Sequence, residues 1–457
     1  MKKYFYVLLI IMLVPFSVRA EESKELTSSC KVLAGDKANK KIVDSDYGSF
    51  TDYAKDTKIN ITCEDNINYV YIYYNVKPTK GHIGKKEIGQ NGYLHELIKL
   101  DKETKELSIE YDDEYSIADI YLFTKGDLPS WVEDWQTLTD QADLMLISTH
   151  ADDEQLFFAG LLPLYADAGK KIEVIYFTNH YNNTMRYHEQ LEGLWTVGIK
   201  YYPVISTFPD EYSESLEDAI ANLKKAGFGE EDAMKYLVWN IRRFKPKVIV
   251  GHDEKGEYGH GQHILSTYIL KDAIKKAGDK SFEKESAKNF GLWMPYKLYL
   301  HLYKDKQVTL DYDKPLDTFG GKTAFEVSKE GFAKHYSQQY TWFTAWLNGE
   351  DNEFKSATEI KEYNPAIYGL FYSSVGDDKN KNDLFENIKE KKEEPTEKKE
   401  TKTKKVTPKV HKKHFNNSEI KSLKIIGIVI GVTLVLMYLT RPKKKKKKKK
   451  KTNRKRS

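Results

Sequence analysis

The chain has 457 residues and a formal net charge of +5 at pH 7, and its length allows more than one globular domain. Thirteen basic residues lie in residues 441–457, which contain no acid, so the preceding residues carry a formal charge of −8, thirteen below the whole-chain value. These preceding residues lack the basic surface typical of nucleic-acid-binding proteins, and we expect no nucleic-acid partner.

Residues 1–20 have the pattern of a secretory signal peptide. Two lysines precede the apolar run 4–14, and Ala20 is a small residue at a suitable cleavage point. The apolar run is short for a membrane span, although an uncleaved membrane anchor is the alternative interpretation. We therefore expect the chain to be exported from the cytoplasm.

Residues 21–135 are predicted to form a small all-β, sandwich-like domain. Its β-prone runs alternate apolar and polar residues between turn-forming residues. These runs are residues 58–62, 69–74, 107–111 and 117–123. Cys30 and Cys63 both lie in this domain, and a disulfide between them is expected in an oxidising compartment, with two buried free thiols as the alternative. The many tyrosines of the domain suggest sugar binding, although aromatic residues in strands often serve only core packing.

Residues 136–375 alternate strand-like and helix-like segments, which predicts an α/β domain with a doubly wound, mostly parallel sheet. A connector with Trp131 and Trp135 precedes this domain and is expected to pack the two domains together. The predicted strands are residues 144–149, 172–178, 200–206, 248–250 and 298–303. The predicted helices are residues 155–166 and 184–197, two stretches within 214–244, residues 262–276, and an aromatic helix within 331–346 that covers the site or completes the fold.

Two predicted strands end in clusters of histidine and carboxylate side chains. The strand at 144–149 is followed by His-Ala-Asp-Asp-Glu at residues 150–154, and we expect the two aspartates in the first turn of the next helix, where anions are favoured. The strand at 248–250 is followed by a histidine-rich segment, residues 251–263. Open α/β sheets bind ligands at the carboxyl ends of their strands, so both clusters are expected at one edge of the sheet.

His150, Asp153 and His263 are predicted to form a two-histidine, one-carboxylate zinc site with a position left open for water. Asp152 remains free to act as the general base. For either segment alone, a solvated polar cluster on a surface loop explains the residues equally well. The presence of both segments, each after a buried strand, favours the metal site.

The same two segments resemble a known family. Residues 150–154 resemble the His-Pro/Ala-Asp-Asp-Glu signature of the PIG-L/LmbE-like zinc deacetylases, and residues 258–263, Tyr-Gly-His-Gly-Gln-His, resemble their second motif, Gly-His-x-x-His. The family often has proline after the first histidine, where Ala151 stands here, but this difference removes no ligand. The resemblance covers residues 140–340. It implies a Rossmann-like sheet, one zinc ion, and removal of the acetyl group from an N-acetylglucosamine-containing substrate.

The resemblance also implies roles for four further residues. His260 matches the residue that stabilises or protonates the reacting amide, and Tyr258 is similar to a mobile tyrosine that acts on the carbonyl oxygen. Arg186 and Asp210 resemble the residues of the family that contact the substrate. An ion pair between Arg186 and an acid on the same helix is the alternative interpretation for this arginine.

The C-terminal region has the composition of a membrane anchor. Residues 376–421 are rich in charged residues and lack apolar periodicity, which predicts a disordered stalk. Residues 422–440 contain an uncharged run that predicts one transmembrane helix, and residues 441–457 form a polybasic tail that is expected in the cytoplasm, against anionic lipids. We therefore expect a single-pass membrane protein whose catalytic domain lies outside the cytoplasm or in a lumen. Its expected substrate is an N-acetylated amino-sugar glycan or glycolipid.

Two other classes of function remain open. A metal-independent glycosidase needs only two carboxylates, which Asp152, Asp153, Glu154 and Asp210 supply. A non-catalytic surface protein that binds a glycan or a partner protein needs neither carboxylates nor metal ligands.

Overall fold

The computed structural model describes residues 21–389. The predicted signal peptide, transmembrane helix and polybasic tail lie outside the described residues. Among residues 21–389, none of the helices combines the length and the apolar character that a membrane span requires.

The N-terminal domain is entirely antiparallel. Its strands are β1 Lys31–Ala34, β2 Lys37–Ala38, β3 Thr51–Tyr53, β4 Ile59–Tyr74, β5 Gly81–Ile83, β6 Lys86–Ile88, β7 His95–Tyr111 and β8 Tyr115–Phe123. The spatial order is β2, β1, β4, β7, β5, β6, and β8 pairs with both β3 and β4. The predicted all-β domain is therefore observed, but as one continuous hydrogen-bonded sheet rather than two separate sheets. The long strands β4 and β7 pair with each other over most of their length, from Ile59 opposite Ile109 to Tyr73 opposite His95.

The burial pattern of strand β4 follows its sequence pattern. Ile59 and Ile61 are buried and alternate with exposed residues, as expected for a sheet with one face in solvent. From Val70 to Tyr74 every residue is buried, because the second face of the sheet is also covered there. Cys63 of β4 forms a disulfide with Cys30, as predicted, and this bond links the start of β1 to the middle of the sheet.

The second domain contains a seven-stranded mixed sheet. Its strands are β9 Leu144–Ser148, β10 Ile172–Tyr176, β11 Val204–Ile205, β12 Val248–Gly251, β13 Lys297–His301, β14 Gln307–Thr309 and β15 Ile367–Ser373. Its helices are α1 Leu161–Asp167, α2 Met185–Thr196, α3 Leu216–Lys225, α4 Glu230–Phe244, α5 Gly261–Ala277, α6 Lys284–Phe290, α7 Ala324–Phe332 and α8 Trp342–Asn348. The spatial order is β11, β10, β9, β12, β13, β15, β14. The first five strands are parallel, β15 runs antiparallel to β13, and β14 runs antiparallel to β15.

Both faces of this sheet are covered by helices, which confirms the doubly wound arrangement. Alternate residues of β9 face opposite layers: Leu144 and Leu146 join the core with α1, α2 and α7, and Met145 and Ile147 join the core with α3, α4 and α5. Strand β9 pairs with β10 on one side and with β12 on the other. The strand order therefore reverses beside β9, and such a switch point opens a crevice at the carboxyl ends of the strands.

Four sequence-based boundaries need correction. Helix α1 begins at Leu161, so the aspartates at positions 152 and 153 lie in an irregular series of turns and not in a helical first turn. The reason is backbone conformation, since Asp152 and Gly160 have positive φ values of 113° and 90°. The third predicted strand is reduced to Val204–Ile205, and the predicted aromatic helix is divided into a short 3₁₀ turn, Tyr336–Gln338, and α8.

The fourth correction concerns the predicted stalk. Residues 376–389 pack on the α/β domain, although their composition is strongly charged. Leu384 is fully buried, and its backbone N–H donates to the hydroxyl of Tyr165. Asp378 pairs with Lys297, which is buried in β13. A few apolar anchors and one buried ion pair therefore order a segment whose composition alone predicts disorder, and the rest of the predicted stalk lies outside the described residues.

Candidate active site

The two sequence motifs lie at the carboxyl edge of the sheet, as the strand pattern predicted. Strands β9 and β12 are neighbours in parallel register, so the segments that follow them leave the sheet side by side. A hydrogen bond of 3.0 Å from the backbone N–H of Thr149 to His252 Nε2 joins the two segments directly. The motifs, 113 positions apart at His150 and His263, therefore meet at one place.

His150, Asp153 and His263 form a compact triangle of potential ligand atoms. His150 Nδ1 lies 3.1 Å from both Asp153 Oδ2 and His263 Nε2, and His263 Nε2 lies 3.2 Å from the same carboxylate oxygen. Atoms bound at about 2.0–2.1 Å to a tetrahedral zinc ion lie roughly 3.3 Å apart. The observed triangle matches one face of such a tetrahedron.

The hydrogen bonds of the outer ring nitrogens fix the direction of the lone pairs. His150 Nε2 lies 2.9 Å from Gln262 Oε1, and His263 Nδ1 lies 2.7 Å from Glu257 Oε2. The amide of Gln262 is itself oriented, because its Nε2 donates to the carbonyl of Pro209. Since both acceptors are oxygens, the outer nitrogens donate, and we assign the lone pairs to the inner nitrogens. Metal binding requires both imidazoles to be neutral, and in that state two ring nitrogens and one carboxylate oxygen are a ligand set that fits a divalent cation.

Glu257 is a buried carboxylate whose function the sequence analysis missed. Its oxygens accept from the Nδ1 atoms of His252, His263 and His301 at 2.8, 2.7 and 2.6 Å. Burial acts to raise the pKa of Glu257, but the histidines that face it outweigh burial and hold the pKa well below its usual range. The sequence position of His252 suggested that it orients a ligand. His301 lies in β13, and no sequence pattern indicated that it belongs to the site.

His252 and His260 are the other nitrogen donors near the triangle. The Nε2 atom of His252 accepts the N–H of Thr149, so its lone pair is already used. A ring nitrogen of His260 lies within 4.8 Å of a ring nitrogen of His150 and of His263. The Nδ1 atom of His260 accepts the N–H of Gln262, which leaves the proton of its neutral ring on Nε2.

Asp152 lies beside the triangle and is held by Arg186. Arg186 Nη2 lies 3.1 Å from Asp152 Oδ2 and also donates to the backbone carbonyl of Ala151. Burial raises the pKa of Asp152 to about 7, although the Arg186 guanidinium acts in the opposite direction. Arg186 therefore reaches into the site from α2, and the alternative of an ion pair confined to its own helix is not observed.

Asp210 closes the other side of the site. Its carboxylate lies 3.4 Å from His150 Nε2, 3.1 Å from His180 Nδ1 and 3.6 Å from Arg186 Nη1. Burial acts to raise the pKa of Asp210, but His150, His180 and Arg186 hold it well below its usual value. His180 is itself buried, and its Nε2 accepts the N–H of Ala151. A cavity of about 230 Å³ opens between Arg186, Asp210 and Gln338.

Tyr258 and two unpredicted residues complete the surroundings. Tyr258 has a positive φ of 45° and lies against Phe157 and Phe343, with ring centroids 5.9 and 5.7 Å away. On the opposite side, His335 Nε2 lies 3.1 Å from Glu154 Oε1, while the N–H of Asp152 donates to Glu154 Oε2. The sequence placed His335 only in an aromatic segment and gave no reason to pair it with Glu154.

All eight residues that the sequence analysis selected lie in this region. His150, Asp153 and His263 form the triangle, Asp152 lies next to it with Arg186 and Asp210, and Tyr258 and His260 lie on the helix α5 side. The structure shows their placement, and their chemical roles remain predictions.

Comparison with known proteins adds relatives for this domain. Residues 145–274 match the family PIG-L, described as GlcNAc-PI de-N-acetylase. Mycothiol S-conjugate amidase of Streptomyces coelicolor is 29% identical over 182 residues, which is 35% of this chain and 61% of the relative. 1D-myo-inositol 2-acetamido-2-deoxy-alpha-D-glucopyranoside deacetylase 1 of Catenulispora acidiphila is 23% identical over 178 residues, which is 34% of this chain and 54% of the relative. The matches thus span little more than half of the length of these curated proteins.

Among solved structures, N,N'-diacetylchitobiose deacetylase from Pyrococcus horikoshii is 15% identical, with a TM-score of 0.35, and the match covers 51% of this chain and 84% of that one. Both histidine-containing motifs, residues 150–154 and 258–263, lie inside the matched segment 145–274. This chain contains a domain of the PIG-L family.

Proposed function

We propose that the domain is a zinc-dependent hydrolase that removes the acetyl group from an N-acetylglucosamine-type glycan or glycoconjugate. The observation that carries this proposal is the inward-facing triangle of His150, Asp153 and His263 beside the buried carboxylate of Asp152. A binding protein has no need for three converging ligand atoms with fixed tautomers, and neither has a metal-independent glycosidase.

Zinc bound to the triangle supplies the Lewis acidity that amide hydrolysis requires at neutral pH. Asp152 accepts the proton of the attacking water, since it is the carboxylate of the motif that does not belong to the triangle. Arg186 holds Asp152 Oδ2 in place at 3.1 Å, which fixes the direction in which the base faces the substrate. The charge of the arginine also favours the ionised carboxylate.

His260 and Tyr258 stabilise the oxyanion of the tetrahedral intermediate in this proposal. With Nδ1 occupied by the N–H of Gln262, His260 presents an Nε2–H donor. Tyr258 lies on the same side, with its ring centroid 5.5 Å from that of His260. Asp210 and Arg186 are the acidic and the basic residue among the polar residues that line the cavity, and they would bind the hydroxyl groups of the sugar. As the C–N bond breaks, a protonated group of the site passes a proton to the leaving nitrogen, and the free amino sugar and acetate depart.

The choice of an N-acetylated amino sugar is supported by the relatives. The deacetylase of Catenulispora acidiphila carries a 2-acetamido-2-deoxy-glucopyranoside in its name. The site described here offers the same elements that hydrolysis of such an acetamide requires: a metal triangle, a general base and two proton donors.

We also propose that the catalytic domain lies outside the cytoplasm, on a single-pass anchor with a cytoplasmic tail that contacts membrane lipids. The disulfide between Cys30 and Cys63 supports an oxidising compartment. Treatment of intact cells with an external protease should digest the catalytic domain and spare an epitope at the C-terminus. Protection of both parts from the protease would contradict this orientation.

The proposed activity is tested by incubating the full chain with a panel of N-acetylated glycans and measuring acetate. We expect acetate release that a chelator abolishes and added zinc restores. Release of reducing sugar in the presence of chelator would instead indicate a glycosidase, and failure to release acetate from any N-acetylated compound would reject the deacetylase.

A further inference from the structure

A second, larger cavity of about 990 Å³ lies between the two domains. Tyr121 and Trp131 line it from the N-terminal domain, and Glu192 and Tyr336 line it from the catalytic domain. None of the three residues of the metal triangle belongs to this lining. We call this cavity the interdomain cleft.

The cleft presents aromatic side chains in fixed orientations. Trp131 is 40% exposed and Tyr336 is 50% exposed, which is unusual for such large apolar groups. Trp131 is nevertheless held in place, because Tyr121 packs against it in a T-shaped pair and Phe123 in a tilted pair, with ring centroids 5.0 and 5.8 Å away. Rigid, exposed aromatic faces offer packing surfaces to the apolar face of a pyranose ring at little entropic cost.

A buried carboxyl group with one oxygen unpartnered within residues 21–389 lies in the wall of the same cleft. Glu133 is 1% exposed, and its Oε2 accepts from His95 Nδ1 and Trp135 Nε1, both at 2.6 Å. Its Oε1 finds no hydrogen-bond partner among the described residues, although it is buried and the residue lines the cleft. Buried polar atoms nearly always have a partner, so this oxygen points to a ligand that brings a donor, such as a sugar hydroxyl or amide N–H.

The charges of the cleft favour a neutral ligand. Lys322 pairs with Glu330 at 2.7 Å, and Lys334 lies 3.9 Å from Glu192. These lysines and acids, all of which line the cleft, neutralise one another and leave no strong field of one sign. A polyanionic or polycationic chain therefore gains little here, whereas hydroxyl and acetamido groups can use the same polar atoms.

One short segment, residues 334–338, connects the cleft to the active site. Tyr336 lines the cleft, and Gln338 lines the small cavity with Arg186 and Asp210. The segment is fixed in place by Ser337, whose N–H and hydroxyl donate to the two carboxylate oxygens of Glu189 at 2.7 and 2.6 Å. The cleft and the small cavity beside Arg186 are therefore lined by residues only two positions apart on one fixed segment.

We infer that the interdomain cleft binds a neutral oligosaccharide of N-acetylated amino sugars, of which one residue reaches the metal triangle. The inference that the cleft binds a glycan depends only on the residues of the cleft. The further statement that the bound glycan is the substrate rests on the proposed function. The N-terminal domain accordingly helps to select polymers over monosaccharides.

The test measures how the full chain and its variants bind and deacetylate two ligands. The linear hexamer of N-acetylglucosamine and the monosaccharide are titrated by calorimetry, and acetate release from each is measured separately. We expect Trp131→Ala and Tyr336→Ala to weaken binding of the hexamer about tenfold and to raise its KM similarly, with kcat and the monosaccharide kinetics unchanged. Trp131→Phe should recover most of the affinity, because it restores an aromatic face.

Tyr268→Ala is the matched control, since Tyr268 is also exposed, at 45%, but does not line the cleft. Equal hexamer affinity in wild type, both cleft variants and this control, with unchanged unfolding temperatures, would overturn the inference. Preferential binding of a polyanionic polysaccharide would overturn it as well. Hexamer binding that depends on Trp131, without any acetate release, would support the glycan-binding cleft and reject the proposed function. Acetate release combined with a hexamer affinity that does not depend on the cleft residues would support the proposed function and reject the glycan-binding cleft.

Discussion

At the scale of single residues, Glu257 hydrogen bonds to three histidines at the site, although it lies outside both sequence motifs. It receives the Nδ1–H of three histidines, and one of them, His263, presents its other nitrogen to the triangle. The carboxylate thereby fixes which nitrogen of His263 carries the lone pair.

Glu257→Gln should lower metal affinity by roughly 10–100-fold, because an amide cannot accept from all three rings and forces at least one histidine into the other tautomer. Metal affinity is measured by competition with a chromophoric chelator. Glu254→Gln is the matched control, since Glu254 lies in the same loop but pairs with Lys271. Equal affinity in both variants would show that Glu257 does not orient the ligand.

Asp152→Asn should keep the bound metal and lower kcat by roughly 10²–10⁴-fold, since the amide cannot take a proton from water. The variant also keeps the size of the side chain beside Arg186. Acetate release and metal content are measured on the same preparation. Full activity with full metal content would show that another group is the base.

Asp119 allows a pH-dependent prediction away from the metal triangle. Burial, together with Asp44 and Asp46, raises the pKa of Asp119 to about 7, although the N–H of Ser45 donates to its Oδ1. A carboxyl group with a raised folded-state pKa stabilises the fold below its unfolded value of about 4, and this stability is lost as the pH rises towards 7.

Asp119→Asn should therefore raise the free energy of unfolding at pH 8 by on the order of 1–2 kcal/mol relative to wild type, with a much smaller gain at pH 4. Urea titrations at the two pH values measure the difference. The same change in stability at both pH values would contradict a buried, destabilising carboxylate.

At the scale of elements, the turns between β9 and α1 shape the site. Residues 151–160 curve around the triangle before α1 can begin, and Gly160 ends the curve with a φ of 90°. A Cβ atom at this position would lie 2.5 Å from the ring of Tyr312. Both the backbone conformation and the close approach require glycine here.

Gly160→Ala should destabilise the fold by roughly 2–4 kcal/mol, since strain and a steric clash add together. Gly169→Ala is the matched control, because Gly169 also has a positive φ, 68°, but faces open space. The control should cost only about 1 kcal/mol. Equal losses in thermal or urea unfolding would show that the contact with Tyr312 is unimportant.

Much of the site could be predicted from the sequence, for a physical reason. Each motif follows a buried strand, and parallel strands bring their carboxyl ends to one edge, so His150 and His263 were expected to meet. The pairing of Glu257 with His301, and of Glu154 with His335, could not be predicted, since these partners come from distant elements that only the tertiary fold brings together. The late start of α1 was missed because apolar density in residues 155–166 does not reveal the positive φ of Asp152 or Gly160.

At the scale of the whole molecule, the two domains share a continuous core. His95 of β7 hydrogen bonds to His188 of α2 at 2.7 Å, and the N–H of Leu94 donates to the hydroxyl of Tyr202. Trp195 donates to the carbonyl of Ser130, as expected for a connector that packs the domains together. The buried contacts of Tyr71 and Tyr73 with the connector and α2 explain why β4 is buried on both faces at this end.

The shared core predicts that residues 21–389 unfold as one cooperative unit. Calorimetry of the full chain should show one transition for both domains, with the van't Hoff enthalpy close to the calorimetric enthalpy. His188→Ala should shift the whole transition to lower temperature, because it leaves His95 Nε2 buried without its partner. Two separate transitions, only one of which responds to this substitution, would contradict a common core.

The described fold also shows that a charged composition does not always predict disorder. The charged segment 376–389 was assigned to a stalk, yet Leu384 and Asp378 bind it to the α/β domain. The predictions for the signal peptide, transmembrane helix and tail concern residues outside the described part of the chain and remain proposals.

The central claim is that two distant loops hold one divalent ion beside a free aspartate. The most direct measurement is the zinc content of the purified chain, determined by elemental mass spectrometry for wild type, Asp152→Asn and His263→Ala. The account predicts one zinc ion per chain in the first two and almost none in the third, with all three folded. A wild-type chain that does not retain zinc, or a His263→Ala variant that retains as much as wild type, would contradict it.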